Sequence, residues 1–81
     1  MKLNRWAYAR RNTIKATFDE FPNSLVIFRR VKYYYFVYNV EWSAMDPPVS
    51  RGKLEEMEWL INNELDHAEN YRNRKFFNKG N

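Results

Sequence analysis

The chain has 81 residues and no cysteine, which excludes disulfide bonds and thiolate metal ligands. Its 14 lysines and arginines outnumber ten acidic residues and give a net charge of +4, which suits either a nucleic-acid partner or simple solubility. No apolar stretch approaches the roughly 20 residues that span a bilayer. We therefore expect one small cytoplasmic domain over residues 1–81 with no membrane partner.

The N-terminal third of the chain begins ambiguously and then reads as a sheet. Residues 3–11 fit either a short helix or a strand. From Thr13 onward, apolar and polar residues alternate, which predicts a strand with Ile14, Ala16 and Phe18 on one face. Turn-forming residues at 19–24 then lead into a second predicted strand.

The stretch from Leu25 to Trp42 is too long for one straight strand. At about 3.3 Å per residue it would span roughly 60 Å, so we expect a turn between Arg29 and Lys32. In the strand that follows, the even-numbered side chains are predicted to face the core: Tyr34, Phe36, Tyr38, Val40 and Trp42. Tyr33 and Tyr35 would then lie on the less buried face.

A helix is predicted after the break at Pro47-Pro48, with residues 43–49 as a linker. Ser50 is a plausible N-cap, and the helix should run over about 50–72, followed by a basic tail at 73–81. One stripe of its surface should face the core: Leu54, Met57, Leu60, Ile61, Leu65, Ala68 and Tyr71.

These elements predict an α+β fold. A three-stranded antiparallel meander over about 13–42, preceded by a fourth strand or a short helix, would pack on one long C-terminal helix. Charge is segregated along this order, since residues 1–32 are mainly basic and residues 50–71 mainly acidic. We expect one basic surface turned away from an acidic helix, with ordinary solubilisation as the alternative.

The basic surface leads to the favoured hypothesis, a non-enzymatic protein that binds nucleic acid, with RNA or single strands favoured over DNA. Lysine and arginine would contact phosphates, and tyrosine rings on the sheet would stack with bases. The predicted nucleic-acid-binding residues are Arg10, Arg11, Lys15, Arg29, Arg30, Lys32, Tyr33, Tyr35, Arg72, Arg74 and Lys75.

The alternative hypothesis is a protein interface formed by exposed aromatic residues. Trp59, on the polar side of the predicted helix, would join Tyr33 and Tyr35 there, because tyrosine, tryptophan and arginine dominate binding hot spots. The partner would be a second copy of the chain, or a host protein bound by a small virus-type inhibitor or adaptor.

Signatures of catalysis are sparse. The two glycines form neither a P-loop nor a dinucleotide-binding turn, and His67 is the single histidine. Glu41, Asp46 and His67 are the residues left for a hydrolytic site, which is the weaker reading. We therefore expect no enzyme activity, no catalytic residues, no metal and no cofactor.

Overall fold

The computed structural model describes residues 1–79, with the side chains of residues 1–74. Four antiparallel strands form one sheet in chain order, and two helices follow. The strands are β1 (Leu3–Arg10), β2 (Thr13–Phe18), β3 (Phe21–Val31) and β4 (Tyr34–Glu41). The helices are α1 (Arg51–Glu64) and α2 (Ala68–Lys79). Within the described residues, no helix is long and apolar enough to cross a membrane.

The prediction of a three-stranded meander on one long helix is wrong, and of the two elements left open before the meander a fourth strand is the one that forms. Residues 3–10 form a full fourth strand, β1, and the helix expected over about 50–72 is divided in two. The division is a Schellman turn, in which Asp66 takes a left-handed φ of 62° and the amide of His67 donates to the carbonyl of Asn62 at 2.7 Å. No glycine marks this turn, so helical periodicity alone extends across it.

The core lies between α1 and one face of the sheet. The alternation that predicted β2 is confirmed, because Ile14, Ala16 and Phe18 are all buried. Phe28 of β3 packs edge to face against Phe18 with ring centroids 6.2 Å apart. From the predicted helical stripe, Met57, Ile61 and Tyr71 are buried, and Leu54, Leu60 and Leu65 pack partly buried around them.

The prediction that the even-numbered side chains of β4 face the core is wrong up to Tyr38 and is confirmed for Val40, which packs partly buried against the core. A β-bulge places one extra residue, Tyr38, between the pairs Phe28 with Val37 and Ile27 with Asn39. Tyr35 and Val37 therefore face the core before the bulge, and the phase changes only after it. Tyr38 itself is 57% exposed.

The turns of the β1–β2 and β3–β4 hairpins lie side by side. The second turn is formed by Lys32 and Tyr33, at the far limit of the range predicted for it. Both turns use a non-glycine residue in the left-handed region, with φ of 62° at Asn12 and 57° at Lys32. The amide of Arg30 donates to the carbonyl of Asn12 at 2.9 Å, which joins the two hairpins at this end of the sheet.

Candidate nucleic-acid interface

The helices contact the sheet from one side, and the other side, here called the open face, is covered by no element of the described residues. Because directly paired residues point to the same face, the register defines rows of side chains across it. One row comprises Arg10, Thr13, Arg29 and Phe36. The adjacent row comprises Ala7, Lys15, Ile27 and Asn39.

The open face is basic and carries aromatic rings. Strand pairing brings Arg10, Lys15 and Arg29 together, and all three are exposed. The guanidinium of Arg29 lies over the ring of Tyr38, 4.8 Å from its centroid. Phe36 is half-buried beside Arg29 on the same face. The face thus offers cations and stacking rings a few ångströms apart.

Sequence reasoning missed three residues of this face, of which Phe36 was predicted to face the core and instead pairs with Arg29. Arg5 pairs with Thr17 and adds a further exposed cation, but the ambiguous reading of residues 3–11 left its direction undefined. Tyr38 was assigned to the core because no residue type in β4 signals the bulge.

A second basic group lies at the adjoining end of the sheet. We call residues 10–12 and 29–34 the basic end, because both hairpin turns meet there. Arg11, Arg30 and Lys32 are exposed in it, and the ring of Tyr33 is 71% exposed. Within the described part of the chain, none of the cations on the open face or the basic end has a carboxylate within 4 Å.

Tyr35 is not available for stacking or for a protein interface, so its predicted roles in both are wrong. It is 3% exposed, and burial raises the pKa of its hydroxyl, with a smaller contribution from nearby Tyr8. The side chain of Asn62 binds the Tyr35 backbone twice, accepting from its N–H and donating to its carbonyl, each at 2.8 Å. Glu58 likewise accepts from the N–H of Val37 at 2.8 Å, so α1 covers the free edge of β4.

The predicted residues of the C-terminal part occupy a different surface. Arg72 lies over the ring of Trp59 at 5.7 Å, and Trp59 is 36% exposed. Glu55 and Glu56 border the same shallow groove, so its charge is mixed. The side chain of Lys75 lies outside the described residues.

Arg74 is held tightly by a neighbouring tyrosine. Its guanidinium lies 3.6 Å from the ring centroid of Tyr71 and donates to the Tyr71 carbonyl at 2.8 Å. Burial, followed by a 2.8 Å hydrogen bond to Glu58, raises the pKa of the Tyr71 hydroxyl. This contact ties α2 to α1.

A groove separates the β3–β4 turn from α2. This turn groove encloses about 450 Å³ and is bordered by Val31, Lys32, Tyr33, Tyr34, Asn70, Asn73 and Arg74. The amide of Asn70 donates to the carbonyl of Tyr33 at 3.2 Å, and the ring of Tyr34 packs edge to face on Tyr71 at 6.1 Å. Both contacts fix the position of the turn against the helix.

The acidic residues and the histidine considered for catalysis are not brought together in one site. Asp46 is buried and accepts hydrogen bonds from Asn23 and Ser24, which fasten the loop after β4 to the start of β3. His67 packs against Tyr35 with ring centroids 6.0 Å apart. Among the residues that the structure describes, no group of three histidine or acidic side chains could hold a metal ion.

Comparison with known proteins places the chain in a family. No curated protein and no solved structure matches it. The family model described as "Uncharacterised protein YuzH" matches residues 2–76, which is nearly the whole chain. The chain therefore belongs to the YuzH family of uncharacterised proteins.

Proposed function

We propose that this protein binds single-stranded nucleic acid, RNA in preference to DNA, across the open face and the basic end of its sheet. The observation that carries the proposal is the row of Arg10, Arg29 and Phe36, with Tyr38 beside it, on a sheet face without a helix. The protein acts as a binding module without catalysis. We place this activity in the cytoplasm as part of the same proposal, because RNA is found there.

The chemistry of the open face favours unpaired strands over a duplex. Unpaired bases expose their rings, which stack on aromatic side chains and on arginine planes. Phe36, Tyr38 and the guanidinium of Arg29 provide such planes on one sheet surface. A duplex keeps its bases stacked internally and would use only the cations.

The electrostatics of the two regions also favour a polyanion. Each cation of the open face and the basic end lacks an acidic partner within 4 Å among the described residues. A cluster of like charges disfavours the folded state, so such a cluster is more typical of a binding surface than of a structural one. Neutralisation by phosphates would remove this repulsion.

A partner protein has weaker support. The exposed edge of β1 is the natural place for a second chain to pair, but register shifts interrupt it between Leu3 and Arg5 and between Tyr8 and Arg10. Bulges of this kind protect edge strands from pairing with other chains. Sedimentation of the protein alone tests the homodimer directly, and a stable dimer would favour that alternative.

Removal of two open-face cations tests the proposed function. In Lys15→Gln/Arg29→Gln, we expect the Kd for a labelled 12-nucleotide single-stranded RNA to rise about tenfold or more at low salt. The slope of log K against log salt should become shallower by about 1.4, since each lost phosphate contact contributes about 0.7 for single strands. Fluorescence anisotropy over a salt series measures both.

Lys2→Gln/Arg51→Gln is the matched control, because it removes the same charge from exposed side chains at the opposite end of the molecule. We expect its Kd to stay within about twofold of the wild type. Equal losses in the two variants would show that only net charge matters. Wild-type protein that binds neither RNA nor DNA at low salt would overturn the proposal.

A further inference from the structure

We propose that the turn groove holds one unpaired nucleotide, with its base stacked on Tyr33 and its phosphate near Lys32. The inference rests on the proposed function and gives it a specific pocket. It adds a stacking site between the β3–β4 turn and α2 to the rings of the open face, so that both contribute to single-strand selectivity.

The ring of Tyr33 is placed to stack with a base. It is 71% exposed, and the turn that carries it is tied to α2 by Asn70. The neighbouring ring of Tyr34 is fixed on Tyr71. One side of the groove is therefore rigid, and the other presents an aromatic plane without a described partner ring.

The polar groups bordering the groove match a nucleotide rather than an apolar ligand. Asn73 offers an amide donor and acceptor, and Asn70 keeps its carbonyl oxygen as an acceptor while its amide nitrogen binds Tyr33. Base edges carry both donors and acceptors, so side-chain amides can read them. Lys32 and Arg74 supply positive charge, and no carboxylate borders the groove in the described residues.

The size and position of the groove suit a segment of a longer strand. Its volume of about 450 Å³ falls within the range of small-ligand sites, roughly 300–1,000 Å³. The pair Val31 and Tyr34 lies two residues beyond the pair Arg29 and Phe36 along β3 and β4, so both pairs belong to the same face. A strand that crosses the open face at Phe36 would therefore reach the groove next, about 7 Å further along the sheet.

The test compares single-stranded RNA with a duplex of the same length in Tyr33→Ala. We expect wild-type protein to bind the single strand at least about tenfold more tightly than the duplex. Tyr33→Ala should weaken single-strand binding about tenfold, in line with the loss of one base-stacking contact, and leave duplex binding unchanged. The salt slope should stay the same, because no phosphate contact is removed.

Two further variants sharpen the test. Tyr8→Ala removes another exposed tyrosine, on the helix side of β1, and should change single-strand affinity less than twofold. Asn73→Ala should reduce the differences in affinity among oligo(A), oligo(C) and oligo(U), because it removes the amide that reads the base edge. Unchanged differences would contradict the role given to Asn73.

The outcomes separate the inference from the function on which it rests. Single-strand affinity that is unaffected by Tyr33→Ala but lost in Lys15→Gln/Arg29→Gln would overturn the groove assignment and keep the proposed function. Equal binding of single strand and duplex by the wild type would overturn the groove assignment together with the single-strand preference of the proposed function. Absence of binding to either RNA at low salt would overturn both.

Discussion

The two ends of the sheet use charge in opposite ways. At the end opposite the basic end, here called the paired end, Lys53 binds Glu20 at 2.8 Å and the N-terminal ammonium lies 3.2 Å from Glu20. At the basic end and directly beside it, neutral amides hold the structure: Asn70 binds Tyr33, and Asn62 binds the adjacent Tyr35. The charges of one end form ion pairs, whereas the cations of the other have no carboxylate within 4 Å among the described residues.

Because of this difference, we expect substitutions at the two ends to have different effects. Removal of a charge from the paired end should affect stability, and removal of a charge from the basic end should affect binding. Removal of the neutral amide of Asn62 should affect stability most, since this side chain is buried and its partners are backbone atoms.

The largest effect is expected for Asn62→Ala. Asn62 is fully buried and makes three hydrogen bonds, two to the Tyr35 backbone at 2.8 Å and one to the Glu58 carbonyl at 2.7 Å. The substitution leaves the N–H and carbonyl of Tyr35 without these partners, which should lower the free energy of unfolding by about 2–4 kcal/mol. Urea or guanidinium denaturation measures the change.

Asn63→Ala is the matched control for that substitution. Asn63 is an exposed neighbour in the same helix, so its variant should stay within about 0.5 kcal/mol of the wild type. A loss below about 1 kcal/mol in Asn62→Ala would show that amide contacts are not what holds the basic end. The contrast between the two ends would then fail.

Lys32→Gly should raise stability and weaken binding together. Lys32 has a φ of 57°, a left-handed conformation that costs a residue with a Cβ atom about 1–2 kcal/mol and costs glycine little. After the greater entropy loss of glycine on folding, we expect a net gain of about 0.5–1 kcal/mol in unfolding free energy. RNA affinity should fall, because one cation of the basic end is lost.

Lys32→Gln separates the two contributions, since it removes the charge and keeps the left-handed backbone. Its RNA affinity should fall like that of Lys32→Gly, without the full gain in stability. If both variants gained equal stability, repulsion among cations, rather than backbone conformation, would be the cause. Thermal denaturation and anisotropy titrations of the two proteins decide between these causes.

Sequence reasoning works well where the pattern of apolar and polar residues runs without interruption, and poorly where the structure shifts the phase of that pattern. Ile14, Ala16 and Phe18 lie on the buried face as expected, because nothing interrupts β2 between them. The same reasoning fails at Tyr38 and at Asp66. At Tyr38, a bulge shifts the side-chain phase by one residue. At Asp66, a left-handed backbone conformation ends a helix without a glycine. The bulge reverses the predicted facing of the residues before it, and the left-handed Asp66 divides one predicted helix into two.

The sequence predicts which types of residue form the candidate site, but it does not predict how these residues are arranged on the sheet. Arg10 and Arg29 were predicted as phosphate contacts from the local charge of the sequence. That they lie in one row on the sheet depends on the register of three strands. Tyr35 was chosen for stacking and is buried, whereas Tyr38 was assigned to the core and is exposed. The one extra residue of the β4 bulge reverses the exposure that was predicted for these two rings.

The smallest effect is expected for Glu20→Gln at the paired end, and its size depends on pH. A hydrogen bond from Lys53, with a smaller one from the N-terminal ammonium, holds the pKa of Glu20 below its ordinary value of 4.5. A depressed folded-state pKa stabilises the protein above pH 4.5, and this contribution is lost as the pH falls through the folded pKa. Glu20→Gln should therefore be slightly less stable than the wild type at pH 7 and equally stable in acid.

A double-mutant cycle with Lys53→Gln assigns that difference to the ion pair. The coupling between the two positions should be favourable at pH 7, should shrink with added salt because both side chains are partly exposed, and should vanish in acid. Glu41→Gln serves as the control, since Glu41 has no base within 4 Å in the described residues. Coupling that persisted in acid would mean that contacts other than charge join Glu20 to Lys53. The paired end would then no longer differ from the basic end in how it is held.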